Sequence, residues 1–288
     1  MITTPEHELD GSAAANFYRD ALALMVASEI PFLVGGAFAL QRYTGLARDT
    51  KDIDIFVKPA DVKRTLAMFE RAGFTTELPY PHWLAKAHCG KDFMDIIFSS
   101  GNCLAIVDDE WFAAAPDAEV MGKPVKLAPV EEIIWSKAFI MERERFDGAD
   151  VAHLLHATAD SLDWQRLIRR FDGHWQVLFT HLVLFDYIYP SEQHLIPAWV
   201  KAQMIEQLQT SSQPSGERIC RGTYLSRAQY LPDITDWGYQ DARVHPDGSM
   251  TAEQADIWTT AAIEDENVII SIASDADIVE ASAVESPS

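Results

Sequence analysis

Two carboxylates, Asp52 and Asp54, flank one isoleucine in the run Lys51-Asp52-Ile53-Asp54-Ile55-Phe56, and a glycine pair, Gly35-Gly36, lies a short stretch before them. The alternation of acid and apolar residue is that of a strand, whose side chains point to opposite faces with a period of two. Asp52 and Asp54 then share one face, while Ile53 and Ile55 turn to the core. Carboxylates side by side on a strand repel each other and must be desolvated, a cost that a divalent cation between them removes. Glycines let a backbone approach a phosphate closely, and a following helix presents its N-terminal N–H groups and positive dipole end. Either feature alone is commonplace. Together, in strand-turn-helix-strand order, they point to phosphate chemistry assisted by a hard cation, for which oxygen ligands are the right inventory.

The surrounding text supplies elements to position these residues. A helix is expected from Ser12 to about Glu29 and is broken by Pro31. Residues 32–34 read as a short buried strand running into the glycines, 37–46 as a helix, and 51–57 as the strand that carries the two acids. Asp61 is placed to cap a helix bearing Val62, Leu66, Met68 and Phe69, which Gly73 ends. Strands are expected over 74–78, 82–89, 93–98 and 104–107. Those at 82–89 and 93–98 form a hairpin about Gly90-Lys91, with Trp83, Ala85, Ala87 and Cys89 on one face. A smaller hairpin spans 120–127. From Pro129 the pattern is helical over 131–141, 149–158, 164–171, 176–187 and 198–208, with Trp164, Trp175, Phe179, Phe185 and Tyr187 as core.

The organisation this implies is a mixed α/β domain over 1–128 and a helical domain over 129–209. A linker and a segment that docks back onto the body follow over 210–263, and an acidic disordered tail over 264–288. Cys220-Arg221-Gly222-Thr223-Tyr224-Leu225-Ser226-Arg227 looks too specific for a tail. The formal net charge of −21 over 288 residues disfavours a general basic surface for a nucleic-acid backbone, though not a local basic pocket. Three scattered cysteines exclude a disulfide framework or clustered zinc site, and Cys89 and Cys103 read as buried thiols. The text shows no basic-then-apolar leader and no apolar run long enough to span a bilayer, so a soluble cytoplasmic protein without a membrane partner is expected.

The glycine pair and Asp52-Ile53-Asp54 resemble the signature of the DNA polymerase β-like nucleotidyltransferase superfamily. That signature joins a Gly-Gly or Gly-Ser turn to an Asp-x-Asp strand, with a third carboxylate on a later strand. Asp95, in Phe93-Met94-Asp95-Ile96-Ile97-Phe98, fits the third position, with Asp92 as a nearby competitor at the turn. The resemblance implies an α+β fold: a nucleotidyltransferase-type mixed sheet with flanking helices, followed by an α-helical C-terminal domain. It also implies that Asp52 and Asp54 bind two Mg²⁺, and that Asp95 assists the catalytic ion and activates an acceptor hydroxyl.

Arg48-Asp49-Thr50-Lys51-Asp52-Ile53-Asp54 is further similar to the second motif of AbiEii-type minimal nucleotidyltransferases. Those proteins carry a later lysine and a later aspartate on helices. Lys137 fits the first, beside a bound triphosphate, and Asp150 the second, orienting that lysine or touching the nucleotide. A solvated Lys–Asp pair is the plainer reading of the same residues. Arg48 and Lys51 either touch phosphates or are solvated loop charges. Arg143 and Arg145 either form a local basic patch or an exposed helix end, and His153 and His156 read as packing histidines. The expected activity is transfer of an NMP from an NTP to a hydroxyl acceptor, with release of pyrophosphate. The acidic balance favours a small molecule or a protein as acceptor. The alternatives are a toxin-like enzyme acting on tRNA and a non-catalytic nucleotide-binding protein on the same scaffold.

Overall fold

The computed structural model describes residues 13–47, 50, 52–211 and 216–262. Arg48 and Lys51, the expected tail and most of the expected linker lie outside the described residues. The chain divides into two compact units, with the division between Gly216 and Glu217.

The first unit is built on a five-stranded mixed sheet. Helix α1 (Ala13–Ala27) leads to β1 (Leu33–Val34), α2 (Gly36–Thr44) and β2 (Asp52–Phe56). Then come α3 (Val62–Arg71), β3 (Thr75–Tyr80), β4 (Leu84–Cys89) and β5 (Asp92–Ile97). The order across the sheet is β1-β2-β5-β4-β3, and only the β2–β5 pair is parallel. Ile53, Ile55, Met94, Ile96, Ala85 and Ala87 form its buried face, against which α1 and α3 pack. Period two therefore sends Asp52, Asp54 and Asp95 to the other face.

Helix α4 (Asp109–Ala114) and the hairpin β6 (Asp117–Val120) and β7 (Lys123–Lys126) precede the helical part: α5 (Val130–Ala138), α6 (Gly148–Thr158), α7 (Trp164–Phe171), α8 (Trp175–Ile188) and α9 (Ala198–Thr210). The α+β class expected from the sequence is the one observed, a mixed sheet with flanking helices followed by a helical region. Among the described residues no helix is long and apolar enough to cross a membrane.

Two features anchor α5. The chain before it runs beside β1, where the Ala128 N–H donates to the Val34 carbonyl and the Tyr43 hydroxyl donates to the Ala128 carbonyl. Its first turn carries Glu131 and Glu132, both buried and met by arginines of α7. Arg166 pairs with both acids. Arg170 donates to Glu132 at 2.9 Å and grips Asp108 with two bonds of 2.7 and 2.9 Å. Asp108 is also the N-cap of α4, accepting from the Glu110 and Trp111 N–H groups. Burial pushes the Glu132 carboxyl up despite these partners, so its charge depends on the arginines staying in place.

The second unit has its own small core. Strand β8 (Ile219–Cys220) pairs in parallel with β9 (Gln240–Asp241), α10 (Leu231–Thr235) lies between them in sequence, and a helix follows over 252–262. Arg243, 1% exposed, is gripped by Asp241 and donates to Thr259. Thr223 donates to Asp241 at 2.7 Å, and the Tyr224 hydroxyl donates to the Ala242 carbonyl. The Cys220–Arg227 segment thus packs around a buried arginine–aspartate pair.

Four local expectations are corrected. Residues 104–107 are not a strand: the stretch folds back after β5 as a turn, with the Ser100 N–H donating to the Ala105 carbonyl and the Val107 N–H to the Phe98 carbonyl. Asp61 does not cap α3; it lies in a preceding 3-10 turn, has helical φ/ψ and pairs with Arg64. Cys89 is exposed because its strand ends there, at the Gly90 turn. Tyr187 is 83% exposed, since it projects from the outer side of α8.

Removing one member of a buried ion pair strands the other, whereas exposed pairs contribute little. Arg170→Leu is expected to lower urea-unfolding stability by about 3–5 kcal/mol. Arg64→Leu, which removes an exposed pair with Asp61, should cost less than about 1 kcal/mol by the same assay.

Candidate active site

The parallel pairing of β2 with β5 sets Asp54 and Asp95 opposite each other as Cα partners, with Asp52 opposite Phe93. The acids expected from separate stretches of sequence are therefore neighbours on one sheet face. Asp92 opens β5 three positions before Asp95, opposite Cys89, and has no such place beside Asp54.

The glycines back this face at close quarters. The Gly35 N–H donates to the Asp54 carbonyl at 2.9 Å. A Cβ on Gly35 would fall 2.1 Å from the Phe56 ring, and one on Gly36 only 1.7 Å from Asp54 Oδ2. Gly36 also has φ of +55°, in the left-handed region that side chains disfavour. The pair thus brings the Asp54 carboxylate against the N-terminus of α2, whose first N–H groups no helical carbonyl can accept from.

Electrostatics show what the face lacks. Burial first, then the charges of Asp52 and Asp95, push the Asp54 carboxyl up to about 7, against the opposing pull of Lys137 and Arg145. Burial also raises Asp95, and Lys86 opposes it as an ion pair at 2.8 Å. Asp52 accepts from the Thr50 hydroxyl at 2.8 Å. The donors are carboxylate oxygens alone, in register and short of positive charge, which is the chemistry of a hard divalent cation site. They are not drawn together into a ligand cage: among the described residues no three His, Cys, Asp or Glu are grouped to hold a metal ion.

Lys137 and Asp150 come together as expected and bring a residue that the sequence did not single out. Helix α6 packs against α2 and α5. Lys137, in the last turn of α5, lies 2.7 Å from Asp147 and 2.8 Å from Asp150. Asp147 also accepts from Arg145 through two bonds of 2.9 Å. Burial alone would raise the Asp147 carboxyl, but Arg145 and Lys137 hold it down at about 2. Asp147 therefore gathers two cations within electrostatic reach of Asp54. Nothing in the sequence distinguishes it from its neighbours, because its role arises from the loop over 139–147 folding back so that its N–H donates to Ile140.

Lys86 was likewise not foreseen, although a signal was present. Counting back from the Gly90-Lys91 turn places Lys86 opposite Asp95, and that is the observed register. His153 and His156 lie on α6 and join no metal-ligating group among the described residues.

No family model and no curated protein matches the chain. Several solved structures resemble it. A solution structure of the antibiotic-resistance factor ANT(2'')-Ia is 20% identical, covering 58% of this chain and 95% of that one, with a TM-score of 0.41. A lincomycin-bound crystal structure of the lincosamide antibiotic adenylyltransferase LnuA is 16% identical, covering 50% and 96%, with a TM-score of 0.36. JHP933 from Helicobacter pylori is 12% identical, covering 69% and 97%, with a TM-score of 0.35.

A carboxyl held at about 2, below its ordinary 3.8, adds stability above pH 3.8 and loses it as pH falls through 2. Asp147→Asn should thus cost about 2 kcal/mol at pH 7. The difference from the parent should close as unfolding is followed down toward pH 2.

Proposed function

We propose that the protein is a nucleotidyltransferase that moves an NMP from an NTP to a hydroxyl acceptor and releases pyrophosphate. The observation that carries this reading is the in-register Asp54–Asp95 pair, with Asp52 on the same strand face and Gly36 backed against Asp54. A structural role accounts poorly for this cluster, since half-buried like charges cost stability.

Asp52, Asp54 and Asp95 would hold Mg²⁺, which when bound neutralises phosphate charge and polarises the reacting oxygens. The chain's own groups do the rest. The α2 N-terminus and the Gly35-Gly36 backbone receive phosphate oxygens, as helix N-termini do. Lys137 faces the leaving pyrophosphate, and Asp147 and Asp150 keep its ammonium in place. Arg145, exposed and anchored through Asp147, supplies a second cation for the triphosphate. Asp95 accepts the proton of the attacking hydroxyl. Positioning and charge neutralisation carry most of the catalysis in phosphoryl transfer, and this inventory supplies both.

For the acceptor, a small molecule or a protein hydroxyl is favoured over tRNA. The net charge of −21 opposes a long polyanion.

Thermal unfolding with each NTP plus Mg²⁺ tests the reading. A ligand at about 100 times its Kd stabilises by about 2.7 kcal/mol. One or more NTPs should raise the midpoint by roughly 5 °C or more, only with Mg²⁺ present, and Asp95→Asn should lose the rise. No shift with any NTP would contradict the proposal.

A further inference from the structure

Among the described residues, Lys86 is a cation on the acid face that the proposed reaction does not use. It stands in a row of Cα partners that crosses four strands: Asp54 on β2, Asp95 on β5, Lys86 on β4 and Glu77 on β3. Its ammonium lies 2.8 Å from Asp95 and 4.0 Å from the centre of the Phe93 ring. Phe93 is the residue opposite Asp52. The lysine head is therefore mostly enclosed, with a carboxylate on one side and an aromatic face on the other.

Resting on the metal-dependent reading above, we propose that Lys86 is a tethered counter-cation of the acid site. Its ammonium holds the place on Asp95 that a divalent cation takes, and it must withdraw from that carboxylate when the cation binds. Three observations carry this. The ammonium lies 2.8 Å from Oδ1 of the residue assigned as third ligand, so the two cations compete for the same carboxylate charge. The three carboxylates face one way, yet they are not gathered around a common point: Asp95 is engaged by Lys86 and Asp52 by Thr50. The lysine also has somewhere to go. Glu77 is its Cα partner on the far side, with a half-exposed carboxylate that meets the His88 ring at 2.9 Å. The flexible stem lets the head turn from Asp95 and the Phe93 ring, on one side of β4, toward Glu77 on the other.

The device makes a specific demand. A purely structural lysine, once removed, would leave metal affinity unchanged or lower it by loosening Asp95. A competing counter-cation, once removed, tightens it. Mn²⁺ binding to the full-length, nucleotide-free protein, followed by the EPR signal of free Mn²⁺, separates the two. Lys86→Met is expected to bind Mn²⁺ about tenfold more tightly than the parent, the low end of what an adjacent opposite charge does to a carboxylate. Lys86→Arg, which keeps the charge and can grip Asp95 through two bonds, should bind Mn²⁺ no more tightly than the parent. Asp54→Asn should lose binding. If the methionine variant fails to fold, Lys86→Gln carries the same expectation.

Parent-like or weaker Mn²⁺ binding by the neutral variants, with Asp54→Asn still defective, would overturn the role of Lys86 and leave the metal site standing. Absence of Mn²⁺ binding in parent and neutral variants alike would overturn both.

Discussion

Asp54 and Asp95 face each other across the only parallel pair of strands in the main sheet, half-buried and of like charge. Much of the first unit can be understood as the means of tolerating that juxtaposition. Gly36 gives up a side chain so that the Asp54 carboxylate can rest against the start of a helix. Lys86 stands across from Asp95, and Lys137 and Arg145 approach Asp54 from the helical side. Even so, Asp54 remains near neutrality in its titration, with its carboxyl pushed up to about 7. Carboxyls perturbed in this way cluster at functional sites, which supports the cation proposed above.

Helix α5 joins this site to the stability of the helical region. Its first turn buries two glutamates against Arg166 and Arg170, and its last turn holds Lys137 between Asp147 and Asp150. Both ends are thus fixed by ion pairs of low exposure, whose worth lies in orientation as much as in energy. For the triphosphate contact proposed for Lys137 such fixing is an advantage, because a free side chain would lose rotamer entropy on binding.

The sequence made the acid strand legible because alternation is a local property. Asp52-Ile53-Asp54 declares its two faces, and the glycine pair declares the turn that precedes it. The partnership of Asp54 with Asp95 is not local. It depends on β2 and β5 pairing in parallel across two intervening strands, and family resemblance rather than periodicity pointed to it. Lys86 could have been reached by counting from the Gly90-Lys91 turn, since hairpin register follows from the turn. Asp147 could not, for its importance comes from a loop closing on Lys137. The misread elements have a common cause. Tyr187 and Cys89 were given the burial of their neighbours, but the outer side of α8 and the end of β4 meet solvent. At 104–107 an apolar run resembled a strand, yet it closes a turn onto the residues just after β5.

Asp54, buried and set beside the charges of Asp52 and Asp95, is the group that the proposed cation would relieve. Its folded carboxyl titrates near 7, against an ordinary 3.8. The stability it contributes is present below pH 3.8 and is lost as pH rises through 7. Urea unfolding of the parent and of Asp54→Asn, in EDTA and without nucleotide, at pH 5 and pH 8, measures this directly. The variant should be the more stable of the two at pH 8, by about 2–4 kcal/mol, with a smaller gap at pH 5. A variant less stable than the parent at pH 8 would contradict it, because Asp54 would then be a structural acid rather than one kept for a cation.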